Sequence, residues 1–226
     1  MQTRLQRRTG IKPDFFDCCY NNCIAFTGKY ADDDQCPYCK EMRLAESSQA
    51  RKRFMYVPLL DRLRLQYQNA SRAQVLSGYW HSFTEADSQT KFRDVFDGDL
   101  YHGFHRKELG LFQDHRDIAL HMSLDGVQVT TLGHHEVTPV ILMNLNLPPQ
   151  ERYKIENIMA SMVIPGPQKP KELDTFLQPL VEELKRLDRG VEAYDANTGR
   201  TFDLKAWVMM VTGNSSAIAD AIGSGC

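Results

Sequence analysis

Cysteine spacing is the feature that most restricts how this chain can fold. Five of its six cysteines lie between positions 18 and 39. Cys19 and Cys23 form a C-x3-C pair, and Cys36 and Cys39 form a C-x2-C pair. Two such pairs on short turns supply the four thiolates that tetrahedral Zn²⁺ prefers. We therefore predict a structural zinc site made by Cys19, Cys23, Cys36 and Cys39.

The same cysteines allow two other interpretations. Redox-active thiols or merely structural thiols also occur in such clusters. Cys18 directly precedes Cys19 and is able to replace it as a ligand, so this choice stays open. The N-terminal stretch MQTRLQRRTG has no apolar run, which predicts a cytosolic or nuclear protein rather than a secreted one. In such a compartment clustered cysteines favour a metal over disulfide bonds.

Charge is distributed unevenly along the 226 residues. Residues 1–72 contain 13 Lys/Arg against 8 Asp/Glu, whereas the remainder contains 14 against 21. A basic leading segment suits contact with nucleic acid phosphates, and an ordinary solvated surface explains the same excess. The candidates for DNA contact are Arg51, Lys52, Arg53, Arg62 and Arg64. No run is long and apolar enough for a membrane helix.

A helical connecting region is predicted after the cysteines. Pro58 is followed by apolar residues at helical spacing, which predicts a short amphipathic helix. A second helix is predicted to begin with Ser71 as its cap and to end near Gly78. The stretch DVFDGDLYHGFH contains Asp97, His102 and other polar residues, and we interpret it as an ordinary polar turn rather than a calcium loop.

From residue 117 onward, strands and helices follow one another. IALHMSLDG alternates apolar and polar residues and predicts a strand that ends at Asp125. VTPVILMNLNL and NIMASMVIPG predict two further strands, and the segment after Pro170 predicts a long amphipathic helix that ends near Gly190. AWVMMV predicts a strand covered on both faces, as in a parallel sheet. SSAIADAIG predicts a final helix.

This order matches most of the ribonuclease H-like fold, in which three antiparallel strands precede a helix and a strand beside the first. In that arrangement the ends of the first and fourth strands are neighbours. Asp125 and Asn214 are therefore predicted to face each other at one edge of the sheet. The fold class predicted is α/β (α+β), with a mixed sheet.

Several segments together carry a resemblance to a known family. MSLDGVQ, the stretch from TPVILMNLNLPP to IPGPQKPKELDTFLQPLVEELKRL, and WVMMVTGN closely resemble the CACTA (En/Spm-type) DNA transposases. FDCCYNNCIAFTG, CPYC and DVFDGDLY resemble the zinc module and linker that precede the catalytic core in that family. The resemblance extends from about Asp14 to Gly223. It implies a zinc-binding module at residues 1–50, a basic helical linker at 51–113 and a partial ribonuclease H-like catalytic domain at 114–226.

The resemblance implies metal-dependent cut-and-paste DNA chemistry. Three carboxylates hold two Mg²⁺ or Mn²⁺ ions in the intact family, and these ions activate water or a 3′ hydroxyl. Asp125 matches the first of these acids and is its metal-ligand position. The family places an acid where this chain has Asn214. The resemblance implies DNA as the partner and the nucleus as the location. It is also consistent with a homo-oligomer.

Two departures from the family predict an inactive protein. A neutral amide binds Mg²⁺ more weakly than a carboxylate does and adds no charge to balance two cations. The last residues, Ser224 to Cys226, do not fit the family pattern, and the third acid is not found, which indicates a truncated chain. The expected function is that of a transposase-derived protein without cleavage activity; the alternative is a non-catalytic zinc-containing DNA-binding or protein-interaction fragment.

Overall fold

The computed structural model describes residues 10–83, 92–128 and 136–213. In chain order the strands are β1 (Asp14–Asp17), β2 (Arg53–Tyr56), β3 (Ile118–Leu124), β4 (Val127–Gln128), β5 (Glu136–Asn144), β6 (Met159–Ile164), β7 (Val191–Asp195), β8 (Arg200–Leu204) and β9 (Ala206–Gly213). The α-helices are α1 (Leu59–Tyr67), α2 (Ala70–Gly78), α3 (Pro149–Arg152) and α4 (Leu173–Arg189). A π-helix spans Leu100–Glu108.

One mixed sheet forms the centre of the molecule. Its strand order is β1-β2-β6-β5-β3-β9, and β4 pairs with β5. Strands β3, β5 and β6 form an antiparallel meander, and β9 lies parallel to β3. The predicted sequence of three antiparallel strands, a helix and a parallel strand beside the first is therefore present. The predicted final helix lies outside the described residues.

The cysteine-rich segment contributes to the same sheet as β3 and β9. Strand β1 pairs with β2 over its four residues, and Tyr56 of β2 pairs with Met162 of β6. The leading part of the chain thereby extends the sheet that the later part builds. The predicted division into residues 1–50, 51–113 and 114–226 stays a prediction. Each of these three segments contributes at least one strand to the same sheet.

Helix α4 covers one face of the sheet. The alternating apolar residues of β3 point to this face, as their period of two predicts. The apolar side of α4 packs against them and is buried at Leu173, Phe176, Leu177, Leu180 and Leu187. The helix continues through Pro179 and ends at Gly190, whose φ of +94° suits glycine. Both the helix and its end were predicted from the sequence.

An aromatic cluster covers the opposite face near β9. Its buried members are Trp80, Phe83, Phe96, Tyr101 and Phe112, which pack with Ala119, Leu145 and Met209. Residues from Ala206 to Met210 therefore meet apolar groups on both sides of β9, as its unbroken apolar sequence predicted. No helix of the described residues is long and apolar enough to cross a bilayer.

Two local predictions are wrong. The segment interpreted as a polar turn forms a short 3₁₀ turn and the π-helix. Its aromatic residues Phe96 and Tyr101 are buried in the cluster that covers the sheet, which stabilises this regular structure. Asp97 in this segment is buried and accepts hydrogen bonds from Arg93. Helix α2 is capped by Asn69 rather than Ser71, since the Asn69 side chain accepts a hydrogen bond from the Arg72 backbone N–H at 2.9 Å.

A buried ion pair fixes the aromatic cluster to the sheet. Arg152 donates to both carboxylate oxygens of Asp94 at 2.8 and 2.5 Å, and to the carbonyl oxygens of Leu145 and Leu147. The two side chains are only 2% and 4% exposed. Tyr79 donates a further hydrogen bond to Asp94 at 2.6 Å. All three guanidinium nitrogens and both carboxylate oxygens of this pair therefore have a hydrogen-bond partner within the protein interior.

Substitution of Asp94 by alanine tests this arrangement. The change leaves the Arg152 guanidinium buried without its counter-ion, so we expect the free energy of unfolding to fall by about 3–5 kcal/mol. Urea denaturation measures the difference. The matched control is Glu151→Ala, which removes an exposed pair with Lys154 and is expected to cost less than about 1 kcal/mol. Equal stability of the two variants would contradict the prediction.

Candidate metal centre and catalytic edge

Four cysteine sulfurs converge in the leading segment. The Sγ atoms of Cys19, Cys23, Cys36 and Cys39 all lie within 4.8 Å of one another. Asn22 and Lys40 adopt positive φ angles of 61° and 63°, which gives each cysteine pair its tight turn. Among the described residues this is the one group of His, Cys, Asp or Glu side chains with such geometry. The four thiols could bind a metal such as zinc.

Cys18 lies outside this group. Consecutive residues of an extended chain point to opposite sides, and the Cys18 thiol packs in the main hydrophobic core while Cys19 packs in the cysteine cluster. Burial raises the pKa of Cys18 to about 12, so this thiol stays protonated. The choice that the sequence left open is therefore settled by geometry in favour of Cys19 as the residue grouped with the other three.

Burial and local hydrogen bonds shift the pKa values of Cys19, Cys23 and Cys39. Burial raises the pKa of Cys19 to about 11 and raises that of Cys23 as well. Burial acts in the same direction on Cys39, but a hydrogen bond from the Glu41 backbone and one from the Cys19 thiol, 3.3 Å away, lower its pKa to about 7. A divalent cation would replace the remaining protons, so metal affinity at this site decreases as the pH falls.

The cysteine cluster is attached to the start of α4. The Cys23 carbonyl accepts hydrogen bonds from the backbone N–H groups of Lys171 and Glu172 at 2.8 and 3.2 Å. The Ala25 N–H donates to the Thr175 hydroxyl at 2.9 Å. These bonds join a metal-ligand residue directly to the helix that covers the sheet.

Glu172 is a second link between the two parts. Its carboxylate accepts from Lys29 at 2.7 Å and from the hydroxyls of Tyr30 and Tyr38, all within the cysteine-rich segment. Burial alone would raise the pKa of Glu172, but these three hydrogen bonds lower it below its ordinary value. The carboxylate is therefore ionised at neutral pH and holds the segment against the N-terminus of α4.

The predicted DNA-contact residues differ in how many hydrogen bonds their side chains make within the protein. Arg62 donates to carbonyl oxygens of Pro58, Val57 and Ala160, and to the Ser161 hydroxyl. Burial lowers the pKa of Arg62 to about 10. Its guanidinium thus joins α1 to β6 within the protein.

The other four basic candidates lie nearer the surface. Arg64 donates to the Glu192 carbonyl at 3.0 Å, and Lys52 donates to the Asn22 side chain at 2.5 Å. Arg51 is exposed and pairs with Glu41. Arg53 is exposed on β2 and lies over the Phe15 ring, 5.7 Å from its centroid. Arg51 and Arg53 are thus both exposed and close in sequence. Contact between these residues and DNA stays a prediction.

The predicted catalytic edge is the carboxyl end of β3 and β9. The two strands are parallel, and Leu124 pairs with Gly213 at their common end. Asp125 follows Leu124 and is exposed. Asn214 follows Gly213 in the sequence but lies outside the described residues. Asp125 is not part of a metal-ligating group within the described chain.

A β-bulge sets the register at this edge. Leu120 pairs with Val208 but His121 pairs with Met210, so Met209 is an additional residue in β9. A hydrogen bond of 2.8 Å between His121 Nε2 and Thr212 Oγ1 crosses the two strands beyond the bulge. Burial and the charge of Arg152 lower the pKa of His121, which keeps the imidazole neutral.

Sequence reasoning missed three residues that organise these sites. Glu172 and Glu183 are carboxylates on or next to an amphipathic helix, where a solvated role is the ordinary expectation. Glu183 instead accepts from the Tyr56 hydroxyl and the Leu59 N–H, both at 2.6 Å, and thereby caps α1. The one available signal was Pro58, which begins α1 without a capping side chain and requires a partner from elsewhere. His121 gave no signal beyond its place on β3.

Metal analysis of the purified chain tests the cysteine site. We expect about one zinc ion per chain, because four thiolates complete a tetrahedral structural site. Cys36→Ser should lose the metal and lower the melting temperature, since metal binding contributes folding free energy. Cys18→Ala is the matched control and should retain zinc. Loss of zinc from Cys18→Ala with retention in Cys19→Ala would contradict the assignment.

Unfolding as a function of pH tests the Glu172 link. A carboxylate with a lowered folded pKa stabilises fully above its ordinary value of 4.5, and this contribution is lost as the pH falls through the folded pKa. Glu172→Gln should therefore be less stable than wild type at neutral pH, and the difference should shrink below about pH 4.5. The exposed Glu182, on the same helix, supplies the control Glu182→Gln. A constant difference across this range would disprove the link.

Comparison with known protein families identifies a related family. The model of the Transposase family tnp2 matches residues 89–226, more than half of the chain. No curated protein and no solved structure matches. The matched segment includes β3 with Asp125, helix α4 and the bulged strand β9, and its C-terminal end includes position 214. The chain therefore belongs to the tnp2 transposase family.

Proposed function

We propose that this protein derives from a CACTA (En/Spm-type) transposase, binds DNA, and does not cleave it. The observation that carries the proposal is the parallel pairing of β3 with β9, with Leu124 level with Gly213 and Asp125 directly after. The family match supports descent from an enzyme of DNA transposition. Loss of cleavage follows from the residue at position 214.

The ribonuclease H-like assignment of the core rests on topology. The meander of β6, β5 and β3 and the parallel strand β9 occupy the order that this fold requires. Helix α4 lies between β6 and β9 in the chain and covers one face of the sheet. Ligands of open sheets that contain parallel strands bind at the carboxyl ends of those strands, and Asp125 lies at that end.

The residues at this edge do not fit a two-metal site. When bound, two divalent cations supply Lewis-acid activation of the attacking oxygen and stabilise charge on the transferring phosphate. Such a pair requires several carboxylates, and Asp125 belongs to no group of three or more potential metal ligands among the described residues. Asn214 adds an amide that carries no negative charge. We therefore derive no cleavage step for this chain.

DNA binding is proposed for the surface around β2. Arg51 and Arg53 are exposed on the same short segment, and the leading 72 residues carry an excess of positive charge. Phosphate contacts of this kind give salt-dependent binding without sequence preference. DNA as the partner implies a nuclear location, and a homo-oligomer on paired DNA ends is compatible with the family.

A second candidate function is favoured by the cysteine cluster. It is the group with metal-ligand geometry among the described residues, and it is bonded to the core. A structural zinc site in a non-catalytic protein-interaction fragment has the same features. The two candidates differ in DNA binding, because only the first requires it at low ionic strength.

A cleavage assay on labelled duplex DNA tests the main proposal. With Mg²⁺ or Mn²⁺ we expect no nicking by the wild-type chain. In parallel, Mn²⁺ titration should show that Asn214→Asp binds the ion about tenfold more tightly than wild type, because it adds a charge near Asp125. The gain should disappear in the double variant Asp125→Ala/Asn214→Asp.

The contrary results are specific. Nicking by the wild-type chain that Asp125→Ala abolishes would overturn the proposed inactivity. An unchanged Mn²⁺ affinity in Asn214→Asp would remove position 214 from the metal edge. Absence of DNA binding at low salt would favour the protein-interaction candidate.

A further inference from the structure

A cavity of about 520 Å³ lies on the aromatic side of the sheet, away from both sites described above. It is formed by the end of α2 and the turn after it, the π-helix, and the loop that leads into β3. Its lining residues are Ser77, Trp80, His81, Arg106, Gln113, Asp114 and His115. One arginine and two histidines give this cavity a surplus of groups that can carry positive charge.

Arg106 makes no ion pair or hydrogen bond through its guanidinium with the described residues. Its guanidinium lies 5.9 Å from the ring centroids of Trp80 and Tyr101. Its Nε atom is buried without a hydrogen-bond partner. An arginine held over two aromatic rings is positioned by packing, while its donors stay available to a ligand.

Other unmatched polar groups accompany Arg106. Among the described residues, two lining side chains of the cavity have a buried polar atom without a partner, Ser77 Oγ and Arg106 Nε, and the Tyr101 hydroxyl and both His105 ring nitrogens on the π-helix are unmatched as well. Buried polar groups are normally hydrogen-bonded, and exceptions in one place indicate a missing partner. π-helical segments are themselves frequent at functional sites.

The acidic residue in the lining, Asp114, repels a bound anion only weakly. Arg116 donates to both carboxylate oxygens of Asp114 at 2.9 and 2.6 Å, and His115 Nδ1 lies 3.4 Å from one of them. The charge of Asp114 is therefore compensated by Arg116 at the side of the cavity. Trp80 is almost fully buried and donates its indole N–H to the His115 carbonyl, so its ring face does not serve as a stacking surface.

We propose that this cavity binds a phosphodiester group of the DNA backbone, with Arg106 as its principal contact and His81 and His115 beside it. This inference rests on the proposed function, because DNA is the anionic polymer that the family handles. A guanidinium presents its donors as a planar fork that matches two phosphate oxygens. The buried Trp80 ring excludes recognition of a base by stacking, so the contact is independent of sequence.

The position of the cavity indicates which part of the DNA it holds. Residues 113–115 precede β3, whereas Asp125 follows it, so the cavity and the catalytic edge lie at opposite ends of this strand. A strand of this length spans about 20 Å, which corresponds to about six base pairs of duplex. The cavity would hold a backbone phosphate away from the position where strand transfer occurs in the intact family.

Fluorescence anisotropy with a short labelled duplex tests the proposal on the full chain. Arg106→Gln should weaken binding about fivefold and reduce the slope of log K against log salt by about one, as expected for one lost phosphate contact. Arg106→Lys, which retains the charge without the fork, should weaken it less. The exposed Arg200 provides the charge-matched control Arg200→Gln, which should leave the slope unchanged.

Each remaining result has a defined meaning. If the wild-type chain does not bind DNA at low salt, the proposed function fails. If it binds and Arg106→Gln, folded by circular dichroism, binds with the same affinity and slope, the cavity proposal alone fails. If inorganic phosphate raises the melting temperature of wild type but not of Arg106→Gln while DNA binding is unchanged, the site takes free phosphate and the DNA assignment is overturned.

Discussion

Helix α4 is the element on which the rest of the structure depends, because it bonds to all three parts of the chain. Its apolar side is buried on the sheet, which provides the main hydrophobic contribution to folding. At its start, Glu172 accepts hydrogen bonds from the cysteine-rich segment. Just past its middle, Glu183 accepts hydrogen bonds from the Tyr56 hydroxyl and from the first N–H groups of α1. A single amphipathic helix thus sets the positions of the metal centre, the connecting helices and the sheet.

This arrangement joins the cysteine cluster to the helix that covers the sheet. Structural zinc contributes about 10–16 kcal/mol to the folding of small zinc-binding modules, which is as large as the whole net stability of a typical domain. The Cys23 carbonyl accepts backbone hydrogen bonds from Lys171 and Glu172, so a metal bound by the four thiols would also stabilise the start of α4. Strand β2 provides a second route, since it pairs with both β1 and β6. The cysteine module is therefore joined to the rest of the described chain both by these backbone bonds and by strand pairing.

The sequence predicted the elements that a local period determines. The alternation of β3, the apolar side of α4 and the unbroken apolar run of β9 each specify their own conformation, so the order of β6, β5, β3 and β9 and the placement of α4 were correct, whereas β1 and β2 were not predicted. Contacts between distant residues were not predictable. Glu183 has the same local pattern as the exposed Glu182, and only the folded chain places it at the start of α1. Arg62 likewise belongs to a basic stretch, yet its guanidinium donates hydrogen bonds to the backbone carbonyl groups of Val57 and Ala160. The choice between Cys18 and Cys19 also required the geometry of the turn.

At the predicted catalytic edge, the pairing of the strands and the charge of the side chains are separate properties. If Met209 paired regularly with His121, Leu124 would lie level with Thr212, and because strand side chains alternate, a shift of one residue exchanges the faces. The bulge instead brings Gly213 level with Leu124, and the bond between His121 and Thr212 holds that register. These features lie before position 214 and do not depend on which residue follows. A carboxylate at position 214 would carry a negative charge that the amide of Asn214 does not carry. The pairing of β3 with β9 thus determines where the two strands end, independently of the residues that follow them.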